Sequence, residues 1–102
     1  MTRRVKPVFD EVIHAPHRLR ICAFLDGIET AEFAVLRDDL GISDAMLSKH
    51  LAVLRDNGHL KIEKSRGKGR VRTQVALTAS GRRAYRSHLA ALRELVGESH
   101  FT

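Results

Sequence analysis

The chain contains few of the residues that mark several large classes of protein. Among its 102 residues there is no tryptophan, one tyrosine, two prolines and one cysteine. A single cysteine excludes an internal disulfide framework, and since Cys22 lies inside an apolar run we favour a buried small hydrophobic residue over a redox or metal role. The longest apolar run, Ile21 to Leu25, is far too short to cross a membrane, and no signal-peptide segment follows the basic first residues. We therefore expect a cytoplasmic protein.

Patterns that carry enzyme chemistry are missing as well. There is no Gly-rich phosphate loop with an aligned Lys and Ser/Thr, and no nucleophile stands with a matching base. Asp38 and Asp39 are adjacent carboxylates, but neighbouring side chains on a helix do not face each other. The six histidines have no chelating spacing, and we interpret His50 as a packing residue of its helix. We expect no enzyme, no cofactor and no metal site.

Acidic residues are scarce in the middle of the chain, where basic residues are concentrated. The net charge is +6, from 18 Lys and Arg against 12 Asp and Glu. Between Ser43 and Arg72 there are eight basic and three acidic residues, so this segment carries nearly all of the net charge. Concentrated positive charge indicates a polyanionic partner. Nucleic acid is favoured over a membrane surface, because these cations gather on a Gly-rich hairpin and not beside a continuous apolar helix face.

Proline, glycine and capping residues divide the first part of the chain into three predicted helices. Pro7 is expected in the first turn of a short helix, Pro16 at the start of a second, and Gly27 at its end. Thr30 is the expected N-cap of the third. The residues expected to face inward from the third helix are Phe33, Leu36 and Leu40, and the first helix is expected to carry an apolar stripe of Val8, Phe9, Val12 and Ile13.

The second part of the chain predicts a fourth helix, a hairpin and a last helix. Gly41 is expected to take a left-handed conformation, and Ser43 to cap a helix whose inward face is Leu47, Leu51 and Leu54. Alternating apolar residues predict two strands joined at Gly67 and Gly69. Thr78 is the expected cap of a helix from Ala79 to about Val96. The predicted order is helix, helix, helix, helix, strand, strand, helix.

Three stretches resemble the small single-domain winged helix-turn-helix transcriptional regulators of the MarR and ArsR groups. They are Leu40 to Leu51, Leu54 to Gly58 and Leu77 to Arg82, and His14 to Ile21 resembles the segment that opens the domain in those proteins. The resemblance implies an α+β, mainly α, winged helix-turn-helix fold in one domain over residues 1–102. It also implies a helix-turn-helix at about 31–57, a wing at about 59–77 and a dimerisation helix at about 79–97.

The resemblance also implies roles for particular residues, in a homodimer on a pseudo-palindromic operator with the first and last helices at the dimer interface. The candidate DNA-binding residues of the recognition helix are Ser43, Asp44, Ala45, Ser48, Lys49 and Arg55. Those of the wing are Lys64, Arg66, Lys68, Arg70 and Arg72. The candidate dimer residues are Val8, Phe9, Val12, Tyr85, Leu89, Leu92 and Val96.

The sequence departs from the family pattern at Arg37, which stands four residues before Gly41, where a small residue is common. The third helix also lacks the cysteine pair of many metal-sensing ArsR proteins. The resemblance implies a regulator, by analogy a repressor, and leaves a small-molecule effector open. With no separate effector domain expected, such a ligand would bind in the dimer cleft. The alternatives are a winged-helix module that binds an acidic protein, and a binder of double-stranded RNA.

Overall fold

The structure, a computed structural model, describes residues 5–97, in which five helices surround a small antiparallel sheet. The helices are α1 (Glu11–His14), α2 (Pro16–Asp26), α3 (Phe33–Leu40), α4 (Asp44–Asp56) and α5 (Ala79–Val96). The strands are β1 (Ala31–Glu32), β2 (Leu60–Gly67) and β3 (Arg70–Leu77). The mainly helical winged-helix fold predicted from the sequence is confirmed. The basic start at residues 1–4 and the end of the expected domain at 98–102 lie outside the described residues.

The sheet has the strand order β1-β3-β2, with antiparallel pairing throughout. The sequence pattern does not indicate the strand β1. Ala31 lies opposite Val75 of β3 and Glu32 opposite Gln74, so the backbone at Ala31 is paired with β3 in the sheet. The prediction that Thr30 caps the third helix is therefore wrong: the N-cap is Glu32, and α3 begins only after the strand has ended.

The first helix is shorter than the sequence predicts. Asp10 has an extended backbone, and its carboxylate accepts a hydrogen bond from the Ile13 N–H, so the helix begins at Glu11. The Val8 N–H donates to the carbonyl of Ser87 over 3.1 Å, which holds the preceding segment against α5. The expected helical start at Pro7 is wrong, because the backbone there bonds to another element instead.

The other predicted helix boundaries are confirmed. Pro16 opens α2 and Gly27 follows its last residue. Gly41 ends α3 with φ +67°, a left-handed conformation that favours glycine. The Ser43 hydroxyl accepts from the Met46 N–H and the Thr78 hydroxyl from the Gly81 N–H, so each caps the helix that follows it.

One hydrophobic core lies between the helices and the sheet. Its large, fully buried side chains include Ile13, Ile21, Leu25, Leu36 and Leu47. Cys22 is also fully buried, as predicted, and burial together with Asp10 and Asp26 raises the pKa of its thiol to about 12. Such a thiol is inert at neutral pH. Within residues 5–97, no helix combines the length and apolar character needed to cross a bilayer.

Candidate nucleic-acid interface

The helix α4 presents a polar face to solvent. Leu47, Leu51 and Leu54 turn into the core, as their i, i+4, i+7 spacing predicts, and they anchor the helix on the rest of the domain. The opposite side holds all six residues proposed to bind DNA from this helix. They are Ser43, Asp44, Ala45, Ser48, Lys49 and Arg55, and each is exposed.

Arg37 connects α3 to the N-terminal end of α4. Its Nε donates to the carboxylate of Asp38, and an NH₂ group donates to the carboxylate of Asp44, each over 3.0 Å. These hydrogen bonds raise the pKa of the arginine, the one to Asp44 contributing most. The departure at Arg37 therefore leaves the tight turn intact, because the long side chain reaches across it. Arg37 also forms an ion pair with Asp44, which is the acidic residue among the proposed DNA contacts. The sequence pattern does not indicate this role.

The wing formed by β2 and β3 carries cations on two faces. Residues directly opposite each other in an antiparallel pair point to the same side of the sheet. Lys64 lies opposite Thr73 and Arg66 opposite Val71, on the face that also holds Ile62 and turns toward α4.

Two other wing cations point away from this face. Arg70 lies opposite Gly67 and Arg72 opposite Ser65, one residue out of phase with the first set. An NH₂ group of Arg72 is 3.7 Å from the Glu32 carboxylate of β1. The sequence predicts a single group of wing cations, whereas the pleat of the sheet separates them.

Lys68 occupies the tip of the wing. With Gly69 it forms a two-residue turn in which both residues have positive φ, +55° and +78°. Positive φ at both central positions is the pattern of a type I′ hairpin turn, which suits the twist of the flanking strands. The turn places the lysine side chain at the end of the hairpin farthest from the core.

A groove of about 370 Å³ separates α4 from the wing. It brings residues of both elements together, although they are distant in the sequence. Its lining residues are Phe33, Asp44, Ser48, Leu51, Arg55, Ile62, Lys64 and Thr73. A polyanion lying in this groove would meet helix and wing side chains at once.

The cations of this region divide into paired and unpaired groups. Lys61 is paired with Glu63 at 3.7 Å and Arg55 with Asp56 at 3.2 Å. Five others form no ion pair with any residue of the described chain: Lys49, Lys64, Arg66, Lys68 and Arg70. The uncompensated positive charge therefore lies on the outer face of α4 and on the wing. In residues 5–97, no cluster of three or more His, Cys, Asp or Glu side chains could hold a metal ion.

The proposed dimer residues are divided between the surface and the core. Val8 and Phe9 are 52% and 41% exposed and lie beside α5, and Val96 at its end is also exposed. Val12, Leu89 and Leu92 are half-buried. Tyr85 is only 7% exposed and belongs to the core of its own chain, so the structure does not offer it to a partner. Tyr85 is therefore removed from the candidate dimer residues.

This arrangement of a capped surface helix, a tight left-handed turn before it and a basic hairpin after it defines a winged-helix DNA-binding module. Residues 17–96 match the model of a family described as "Winged helix DNA-binding domain". The chain belongs to this family. It is therefore a DNA-binding protein of the transcriptional-regulator type, and the family is not one of enzymes.

Known proteins are similar to this chain in sequence or in structure. An uncharacterized protein of Methanocaldococcus jannaschii is 34% identical over 88 residues, which cover 86% of this chain and 91% of that protein. The structure of a transcriptional regulator homologue from Pyrococcus horikoshii is 29% identical, with a TM-score of 0.81 over 85% of this chain and 86% of its own.

A more distant structure shows the same fold. NadR in complex with 4-hydroxyphenylacetate is 20% identical and has a TM-score of 0.67, over 89% of this chain and 69% of its own. These structures thus share the winged-helix fold of this chain, which the resemblance of the sequence implies.

Proposed function

We propose that the protein is a homodimeric repressor that binds a pseudo-palindromic operator. The observation that carries this proposal is the position of the unpaired cations. Lys64 lines the groove between α4 and the wing, and Lys49, Arg66, Lys68 and Arg70 are exposed on the same two elements. Lysine and arginine near phosphates release condensed counterions, which supplies most of the non-specific affinity for DNA. The repressor role is proposed by analogy with the regulators of this fold.

In this proposal α4 is the recognition helix and enters the major groove. The N-terminal half of such a helix normally approaches the base edges. Lys49 would donate to the acceptors of a guanine, Ser48 to a base or a phosphate, and Ala45 would contact a thymine methyl. Asp44 would not read bases, because Arg37 holds its carboxylate. The wing would contact phosphates and the minor groove, where arginine favours narrow A·T-rich stretches.

Substitutions in α4 should change specificity more than general affinity. Lys49→Ala and Ser48→Ala each remove an exposed side chain, so we expect folding to be unchanged. A lost base contact should weaken binding to the operator by about 1–3 kcal/mol. Binding to random duplex should weaken less, and in Lys49→Ala only through the lost charge. Fluorescence anisotropy with operator and scrambled duplexes measures the difference. Equal weakening on both duplexes would mean that these side chains contact only the backbone.

The dimer in this proposal uses the apolar surface beside α5. Val8 and Phe9 are held against this helix by the Val8–Ser87 hydrogen bond and by an edge-on contact of the Phe9 and His88 rings at 4.7 Å. Leu95, which is 69% exposed, and Val96 extend the same helix. Two-fold symmetry would set the two recognition helices about 34 Å apart, one turn of the duplex.

A negative charge on this surface should produce monomers. A buried unpaired carboxylate is strongly unfavourable, so Leu92→Glu and the more exposed Leu95→Glu should dissociate the dimer and greatly weaken operator binding. Because Leu95 contributes little to the core, its variant should keep the wild-type helical content. Light scattering at micromolar concentration measures the mass, with Val35→Glu as the control, since Val35 is exposed on α3 and is not part of the proposed surface. A monomeric wild type would contradict the dimer.

Binding to DNA, RNA and acidic protein can be separated directly. Saturable binding to duplex DNA with a steep salt dependence supports the proposal, whereas preference for duplex RNA or absence of nucleic-acid binding would favour one of the alternatives. NadR, which shares this fold, is seen with 4-hydroxyphenylacetate, so aromatic carboxylates are the first effectors to test, in the proposed cleft between protomers. Sequencing of genomic fragments bound by the protein would identify the operator.

A further inference from the structure

Arg18 of α2 links three helices on the side of α4 that faces the core of the domain. Its Nε donates to the carbonyl of Val12 in α1 over 2.6 Å. An NH₂ group of the same guanidinium is 3.2 Å from Nδ1 of His50, in the middle of α4. The side chain therefore ties the proposed recognition helix to both of the helices behind it.

The contact requires one protonation state of His50. An arginine side chain can only donate, so Nδ1 of His50 must accept and must carry no proton. The ring of His17 lies 5.4 Å from that of His50, and its own Nδ1 is buried without a hydrogen-bond partner among the described residues. Among the described residues, His50 is the only residue of α4 that accepts a hydrogen bond from Arg18.

We propose that Arg18 and His50 are positioning residues for DNA recognition: their contact sets the recognition helix against α2, and protonation of His50 releases it. This inference rests on the proposed function of α4. It predicts that the discrimination of operator from random DNA is lost in mild acid, before the domain unfolds.

The surroundings of His50 carry charge of one sign. Arg18 and His17 act on it from α2, and Lys49 from α4 itself, while within residues 5–97 no carboxylate from the other packed elements opposes them. Burial, followed by these cations, lowers the pKa of His50 below its usual 6.5. Because the unfolded chain then binds the proton more readily than the folded one, the contribution of neutral His50 to stability is complete above pH 6.5 and decreases as the pH falls below it.

Two substitutions separate this role from simple packing. In His50→Asn the amide oxygen can lie where Nδ1 lies, and it accepts from Arg18 at every pH. In His50→Leu the packing volume remains but the acceptor is lost. A side chain that only filled space would be replaced at least as well by leucine as by asparagine. The variant that better keeps the preference for operator over random DNA therefore distinguishes the two roles.

The experiment compares binding to two duplexes at pH 7.5 and at the lowest pH at which circular dichroism still shows the folded domain, because His50 gains its proton only below pH 6.5. One duplex is selected from a random pool with the wild-type protein at pH 7.5, and the other is its scrambled sequence. The ratio of the two affinities is the measured quantity, because an added charge on His50 strengthens binding to both duplexes alike. We expect the wild-type ratio to fall about tenfold at the lower pH, as for the loss of one charge-assisted hydrogen bond.

The variants have distinct expected results. The ratio for His50→Asn should stay at its pH 7.5 wild-type value in both buffers, and that for His50→Leu should be low in both. Arg18→Met, which removes the donor and keeps the apolar stem, should behave like His50→Leu, and it provides the test if a His50 variant does not fold. His88, whose pKa is lowered too, is present in every variant, so its contribution cancels in the comparison.

Two results would overturn the inference, and they are distinguishable. A wild-type ratio that does not change with pH, with duplex binding intact, would exclude the role of Arg18 and His50 alone. Absence of saturable binding to any duplex at either pH would exclude the proposed function and this inference together.

Discussion

Gly81→Ala is expected to destabilise the domain severely. A Cβ atom at this position would lie 2.0 Å from the carbonyl oxygen of His59 and 2.7 Å from its carbon, and both are backbone atoms that cannot rotate away. The His59 carbonyl also accepts the N–H of Thr78, so the two segments cannot separate without losing that bond. We expect the free energy of unfolding to fall by about 3 kcal/mol or more, at the upper end of the usual cost of overpacking.

Thermal unfolding followed by circular dichroism measures this effect. For a domain of this size, the loss corresponds to a Tm lower by at least roughly 12 °C. Gly27→Ala is the matched control, since Gly27 has a negative φ and no atom lies within 4 Å of the place where its added methyl group would sit. This control should leave Tm unchanged or slightly higher. Equal melting temperatures for the two variants would contradict the close approach of α5 to the segment between α4 and β2.

The second large effect is expected from removing the charges of the wing. The combined substitution Arg66→Ala, Lys68→Ala and Arg70→Ala should weaken binding to operator and random duplex alike, because these side chains are proposed to contact phosphates. Each lost phosphate contact should reduce the slope of log affinity against log salt by about 0.9, or by about 2.7 for three. All three side chains are exposed and unpaired within the described chain, so we expect the fold to be retained.

Anisotropy titrations across a salt series test the wing, and single variants refine the result. Arg66 shares the face of the wing that turns toward α4, whereas Arg70 is on the other face, so Arg66→Ala should reduce the slope more than Arg70→Ala if the duplex lies in the groove. Arg83→Ala, at an exposed position of α5, removes one charge away from the groove and should leave the slope unchanged. An unaltered slope in the triple variant would mean that these wing side chains do not contact DNA phosphates.

Local interactions made much of the fold predictable from the sequence. Gly41, Ser43 and Thr78 act on backbone groups within a few residues of themselves, so their roles follow from residue type and position. The inward face of α4 follows from the helical period of Leu47 and its successors. The same local patterns placed the basic hairpin directly after a capped helix, and this order carried the resemblance to winged-helix regulators.

Packing between distant segments decided what the sequence could not. The strand β1 exists because β3 pairs with it, and the segment before Asp10 is extended because Val8 bonds to Ser87. Tyr85 has the same helical spacing as the other candidate dimer residues of α5, yet it fills the core of its own chain.

The sequence by itself determined the class of protein, the order of its five helices and of the two wing strands, and the basic character of α4 and the hairpin. Tertiary structure decided which of those cations are free of ion pairs, which face of the wing each occupies, and which contacts hold α4. Arg37 reaches Asp44 across a turn, and Arg18 reaches His50 across 32 residues. Sequence periodicity reports the side of an element on which a residue lies, but a pairing between elements depends on how they pack in three dimensions.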